Sequence, residues 1–456
     1  MLAPFRLNKK VLRECEIYKM LCAATKRRHL SFHTPGHKTK GWDITELSFS
    51  DNLSAPTGCI KRAEEDIARI LGAEKSFICT DGSTCGVLSI LHAARALGVQ
   101  KVACPQPAHK SFYNGCKLLG LQTETGVSRC AAGTSGVPLT PTEAEMAAAL
   151  QKADSLFLTS PDYYGNVVDL ATARRLCDEA KKPLLIDGAH GGHLHFEKSL
   201  YAGGFADLWV DGVHKSLPAY TQGAVVSARD KAFADALKES VDIFRTTSPS
   251  YPIMASVEYA VKFPRAEELE REAIGYLLQN PELFHFGGDW TKVCLLAGEL
   301  AFEIKEKLEE KGIFAEFCDG NVLQFYLSPA TTKRQFCALK KALSPWLKRL
   351  KVAAKNSAEK SLQQIPALTI FKKVGENTSK KWVPIEESLG KICARVCGLF
   401  PPCLPLILVG ETICEEKISL LKKADSVFGL EDGKICVFAE ESTAKSTDKN
   451  TEETGL

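Results

Sequence analysis

Residues 207–226 read DLWVDGVHKSLPAYTQGAVV. An apolar run ending at Val210 predicts a buried strand, Gly212 a turn, and GAVVSA at 223–228 a second strand. Between them His214 and Lys215 leave the first strand, followed by Ser216 and the turn at Pro218. A lone lysine is usually a surface residue, so its neighbours decide what Lys215 does.

Working outward, short apolar runs recur at SFICT (76–80), KVAC (101–104), LQTET (121–125), DSLFLT (154–159), PLLID (183–187) and DLWVD (207–211). Amphipathic stretches such as CGVLSILHAARALG and PTEAEMAAALQKA separate several of them. Alternating strands and helices predict an α/β domain whose mainly parallel, seven-stranded sheet is covered by helices. Catalytic groups are then expected beyond the carboxyl ends of the strands. The reading divides the chain into an N-terminal helical arm (1–30, with one helix near 9–26) and a large domain (31–278). A smaller α+β C-terminal domain (279–440) and a disordered polar tail (441–456) follow. Long helices are expected near 230–245 and 252–279, a boundary at NPELFHFGGDW, and a strand at NVLQFYLS.

At 456 residues the chain can bury a large core. Its 58 basic and 55 acidic residues give a net charge of +3, which offers no electrostatic case for a nucleic-acid or membrane partner. No apolar run approaches the ~20 residues of a membrane span, and the first residues lack a signal core. The 17 cysteines sit mostly singly in apolar runs, with no CxxC pair, so they read as small core residues in a reducing, cytoplasmic setting. A small-molecule substrate is the expectation.

Four segments could carry chemistry. In TDGSTCGV (80–87), Gly82, Ser83 and Thr84 open a predicted helix after a strand. Free amides, hydroxyls and the positive helix end there would cradle a phosphate, although Ser83 or Thr84 could equally be a helix cap. In PQPAHKSFYNG (105–115), His109 follows a strand and could lie against a flat ring. In PLLIDGAHGGHLHF (183–196), Asp187 ends a buried strand, where a carboxylate needs a cationic partner. A protonated pyridine nitrogen is one such partner, and it makes the ring an electron sink. On this segment alone, a metal held by Asp187, His190, His193 and His195 competes with that reading. Lys215 decides between them. A lysine leaving a strand into the crevice that holds the phosphate cradle and Asp187 is what imine formation with pyridoxal phosphate requires. A metal site would leave Lys215 and the DGST cradle without a role.

These segments together resemble the ornithine/lysine/arginine decarboxylase family, of the aspartate-aminotransferase-like fold type I. HTPGHK (33–38), DGST (81–84), HKS (109–111), DGAHGGH (187–193), VHKSLPA (213–219), TTSPSYPIMAS (246–256) and PPCLPLILVGE (401–411) stand in the family's order. The resemblance runs from about residue 10 to 440 and is to the compact members without a wing domain. It implies that Lys215 carries the cofactor, Asp187 pairs with its ring nitrogen and His109 stacks on the ring. Gly82, Ser83, Thr84, His214 and Ala189 would contact the cofactor, and His190 would sit near ring and substrate. The resemblance further implies a homodimer or higher even homo-oligomer with shared sites, in which Thr247, Ser248 and Ser250 approach a partner's cofactor. Glu411 would receive the substrate's distal cation.

Three positions depart from the family pattern. Gly212 replaces a hydroxyl residue and removes one phosphate contact, and Cys403 and Val409 alter the segment tied to substrate recognition. The implied reaction is decarboxylation of arginine, lysine or ornithine. The alternatives are an aminotransferase or lyase, with Arg395 as its carboxylate clamp, or a catalytically weak paralogue that keeps the cofactor.

Overall fold

A computed structural model describes residues 8–28, 30–38, 41–125, 137–356, 379–399, 404–423 and 426–439. The tail from 441 and Cys403 lie outside these residues. The described chain forms two compact units, Met1–Ala367 and Leu368–Leu456.

All seven expected strands form: β1 (Lys75–Cys79), β2 (Lys101–Cys104), β3 (Gln122–Thr125), β4 (Ser155–Thr159), β5 (Leu184–Gly188), β6 (Leu208–Asp211) and β7 (Ala224–Ala228). They make one sheet in the order β1-β7-β6-β5-β4-β2-β3. The pairings among β3, β2, β4, β5 and β6 are parallel. β7 runs antiparallel to both β6 and β1. The β6–β7 connection explains the reversal, because it contains only the four-residue helix Val213–Ser216 and turns back without a full crossover helix. β4 to β7 are buried along their whole length, as expected of strands with helices on both faces. Gly86 belongs to this packing: a Cβ there would lie 2.4 Å from Val210 Cγ2, so glycine lets the helix Gly82–Ala96 press onto β6.

The expected 9–26 helix is two helices, Lys9–Leu12 and Glu16–Lys26, with Cys15 extended between them. The second is capped from far away in sequence: Glu258 accepts the Glu16 and Ile17 amides at 2.7 and 2.9 Å. Lys262 bonds Glu258 and Asp66 in turn, at 2.9 and 2.7 Å. The expected 252–279 helix likewise divides into Tyr251–Val261 and Glu267–Leu278, on either side of Pro264.

A second antiparallel sheet, β8 (Phe284–His285), β9 (Lys292–Leu296), β10 (Phe317–Cys318) and β11 (Val322–Tyr326), has its own core around Leu295, Leu323 and Phe336. It is nevertheless tied to the 162–167 loop after β4. Val167 N–H donates to Gly287 O at 2.8 Å, His285 bonds Asn166 at 2.6 Å, and Gln324 donates to Tyr163 O at 2.7 Å. At Gly287 a Cβ would lie 2.5 Å from Asn166 Cα, so only glycine admits this contact. The Gly-Gly pair read as a linker is a packing site.

The second unit carries two three-stranded sheets, built from Lys380–Pro384, Lys434–Phe438 and Leu430–Glu431, and from Leu404–Ile407, Cys397–Leu399 and Val427–Phe428. The helix Glu415–Lys423 completes it around a core of Cys393, Cys397, Ile407 and Ile435.

Candidate active site

The carboxyl ends of β1, β5 and β6 lie along one edge of the sheet and carry three parts of the candidate site. After β1, Gly82 has φ +76°, a left-handed conformation that glycine adopts without strain. Its amide donates to Gln222 O at 2.8 Å. The helix Gly82–Ala96 then begins from Asp81 with no side-chain cap. Ser83 and Thr84 therefore lie inside the first turn, the former buried and the latter exposed, and neither caps the helix. Uncapped first-turn amides at the positive end of a fifteen-residue helix make an anion site.

At the end of β5, Asp187 is 3% exposed. Among the described residues its hydrogen bond is to the Ala189 amide, at 3.0 Å. Burial pushes its carboxyl above the usual range, and only the nearby Lys215 charge and that amide oppose the shift. A buried carboxylate so thinly compensated fits a cationic N–H partner.

After β6, Gly212 leads into the short helix bearing Lys215. A Cβ at Gly212 would lie 2.4 Å from Ala189 O, so the backbone here leaves no room for a side chain at this position. Lys215 Nζ donates to His190 Nε2 at 3.3 Å. Burial first, then the charges of Lys215 and Lys292, hold His190 well below the ordinary histidine range, so it is neutral and can accept that bond. His190 Nδ1 is buried without a partner among the described residues. His109 caps the helix Lys110–Leu119 and bonds Ser111 Oγ at 2.9 Å. Burial and then Lys215 lower its pKa to about 4. His214 is anchored to Gly223 O at 2.9 Å.

The three histidines of the 187–195 segment diverge. His190 meets Lys215, His193 Nε2 bonds Asp289 at 2.9 Å, and His195 lies against Phe196 at 3.9 Å between ring centroids. Among the described residues no group of three or more His, Cys, Asp or Glu is arranged to hold a metal. In the 246–256 segment, Thr247 and Ser248 are exposed and Ser250 half-buried, while the Thr246 amide donates to Asp81 Oδ2 at 3.2 Å. That bond places the segment beside the start of the phosphate loop. Glu411 lies in the second unit, fully buried, accepting from the Leu408 amide and ion-paired with Lys417. Arg395 is exposed, bonds Glu431 at 2.5 Å and lies over Trp382.

Several residues that line the crevice carried no motif. The Tyr163 ring meets His190 at 5.4 Å and Tyr326 at 5.6 Å, and Tyr326 meets His190 at 5.8 Å. Behind Tyr326 lies Lys292, 1% exposed, its Nζ 4.2 Å from the ring centroid and 3.3 Å from Asp289 Oδ2. Asp289 Oδ1 also accepts from the Thr291 amide and hydroxyl at 2.9 and 2.7 Å. The sequence signal was faint: in DWTKVCLL, two opposite charges open an otherwise apolar strand.

An uncapped helix end, a buried acid and a lysine beside a neutral histidine are the parts that a pyridoxal-phosphate site of fold type I would need. The comparisons carry this further. The family described as Orn/Lys/Arg decarboxylase, major domain, matches residues 15–282. An uncharacterized Bacillus subtilis protein, YaaO, is 27% identical over 90% of this chain and 94% of its own length. The arginine decarboxylase of the same organism is 24% identical over 90% and 93%. The crystal structure of Francisella novicida lysine decarboxylase superposes with a TM-score of 0.70 at 18% identity, over 93% of this chain and 80% of that one. Lysine decarboxylase A from Pseudomonas aeruginosa gives 0.71 at 17% identity, over 93% and 80%. The chain belongs to the Orn/Lys/Arg decarboxylase family. It is a decarboxylase whose cofactor is pyridoxal phosphate.

Proposed function

We propose that the protein decarboxylates a basic amino acid, arginine, lysine or ornithine, to the corresponding amine and CO₂. Two of its relatives are named arginine decarboxylase of Bacillus subtilis and constitutive lysine decarboxylase of Escherichia coli. The observation that carries the reading is Asp187, a buried carboxylate with too little compensation of its own, facing the same crevice as Lys215. Bound there, pyridoxal phosphate supplies an electron sink for the pair released when the carboxylate leaves.

The protein's own groups do the rest. Lys215 would hold the cofactor, the Gly82–Thr84 turn its phosphate, and Asp187 its ring nitrogen. Ala189 and His109 would flank the ring, and His214, fixed by Gly223 O, would steady the lysine. Asp187 stays ionised when a cation satisfies it, and so keeps that nitrogen protonated. His190, neutral and 3.3 Å from Lys215 Nζ, is placed to take or return a proton there, which suits the final protonation of the substrate's α-carbon. The buried ring of Tyr163 and the half-buried ring of Tyr326 limit water beside His190, favouring release of a charged carboxylate as neutral CO₂.

The working form we infer is a cytoplasmic homodimer, with Thr247, Ser248 and Ser250 turned toward a partner's site. Among the described residues no helix is long and apolar enough to cross a membrane. The test measures CO₂ release from the three amino acids, keto-acid-dependent amino transfer, and the cofactor's visible absorbance, in wild type and Lys215→Ala. The reading expects CO₂ release without amino transfer in wild type, and loss of both activity and the visible band in the variant. Undiminished activity in Lys215→Ala would overturn it.

A further inference from the structure

The charge of Lys215 acts on two acids, Asp187 and Glu316, and the commitments of the acids on the neighbouring elements differ. Asp187 serves the ring nitrogen. Asp162 is fully engaged by Asn166 and by the Tyr164 and Asn166 amides, and Asp211 accepts the Tyr201 hydroxyl at 2.7 Å. Asp289 is matched by His193, Thr291 and Lys292. That leaves Glu316. The one hydrogen bond of its carboxylate among the described residues is a long one, from Tyr163 Oη at 3.5 Å.

Glu316 directly precedes β10, so its place is set by the second sheet. Tyr163, which it touches, stacks edge-on against His190, and His190 bonds Lys215. A path of contacts thus leads from the cofactor lysine across one aromatic face to one carboxylate. The residue as a whole is exposed, so a ligand can reach it. Burial around the carboxylate raises its pKa, with the charges of Lys215 and Lys292 opposing that shift only in part. The Lys292 charge is itself paired with Asp289 and lies over the Tyr326 ring, which leaves Glu316 without an ion pair among the described residues. Glu411, by contrast, has its cation already in Lys417.

We propose that Glu316, seated against Tyr163, is the specificity-determining carboxylate that receives the substrate's distal ammonium or guanidinium. This rests on the reading of the protein as a basic-amino-acid decarboxylase. The cation gains a charge-assisted hydrogen bond at Glu316 and the face of Tyr163 beside it.

The experiment uses the holoenzyme and compares the best of lysine, arginine and ornithine with norleucine, which has lysine's chain length but no distal charge. In Glu316→Gln, KM for the basic substrate should rise roughly 10- to 100-fold. Its kcat should change by less than about threefold, and the inhibition constant of norleucine should stay as in wild type. An unchanged KM, or a norleucine constant that weakens in parallel, would overturn the proposal. If the Gln protein loses the cofactor's visible band, Glu316→Asp carries the comparison, with the charge kept but withdrawn. A smaller KM rise at constant norleucine affinity supports the proposal, and an unmoved KM overturns it. A wild type with no preference for any basic amino acid over norleucine sinks the decarboxylation reading and this proposal together. A wild type with that preference, retained in full by Glu316→Gln, sinks only the role of Glu316.

Discussion

The Asp289–Lys292 pair can be tested by removing its charges one at a time and then together. Both side chains are buried, with Asp289 Oδ2 3.3 Å from Lys292 Nζ. At an effective dielectric near 20, that separation corresponds to about 5 kcal/mol of attraction. Asp289→Asn strands the Lys292 ammonium in the interior and turns an amide toward the His193 and Thr291 donors. Breaking a buried pair in this way costs about 3–5 kcal/mol. Lys292→Met should be milder, about 1–3 kcal/mol, because Asp289 keeps three donors and methionine fills the same channel beside Tyr326. The double variant should then be more stable than Asp289→Asn alone, since the stranded charge has gone. Guanidinium unfolding of the four proteins at neutral pH measures the cycle. Effects that add within about 0.5 kcal/mol, or a double variant less stable than Asp289→Asn, would refute the pairing argument.

Two further substitutions probe the cofactor crevice. Asp187→Asn should stabilise the cofactor-free protein at neutral pH while reducing CO₂ release by orders of magnitude. Burial raises the Asp187 pKa in the fold, so its ionised form costs stability at pH above the unfolded value of about 3.9. The variant's advantage should therefore vanish on acidification below that value and level off above the raised folded pKa, as thermal melts against pH would show. Gly212→Ser, which restores the hydroxyl common in the family, should not improve phosphate binding. Its Cβ would push Ala189 O from 2.4 Å, costing about 1–3 kcal/mol and displacing a residue expected against the cofactor ring. Weaker cofactor retention and a lower melting temperature are expected, and tighter retention would contradict the geometry.

The large sheet was legible because each strand is a short apolar run bounded by turn residues, and burial on both faces keeps such runs free of charge. Lys215, Asp187 and the Gly82 turn were legible for the same reason: each is a polar break at the end of such a run. What the chain does not announce is the opposite wall. Lys292, Asp289, Glu316 and Tyr326 come from or beside a separate sheet, and contacts distant in sequence, such as those of Asn166 with Gly287 and Gly288 and of Tyr163 with Gln324, bring that sheet against the site. A Gly-Gly pair reads as a hinge until something is seen to press on it, so the boundary was expected near residue 279. The helix breaks at Cys15 and Pro264 show a second limit. Glu258, 242 residues from Glu16, decides where the arm's second helix begins, and no local pattern carries that distance.

That remote cap, with the pairing of β1 to β7, bears on how the protein is made. A ribosome delivers β1 early, yet its ladder partner ends at Ala228, and the acceptor that starts the arm's helix comes at Glu258. While residues 80–228 are being made, the Gly82 turn therefore hangs from an unpaired strand behind an uncapped arm. Vectorial folding from the N-terminus cannot lock these parts in sequence. They must close late and together, so the cofactor pocket is complete only when the edge of the sheet is sealed.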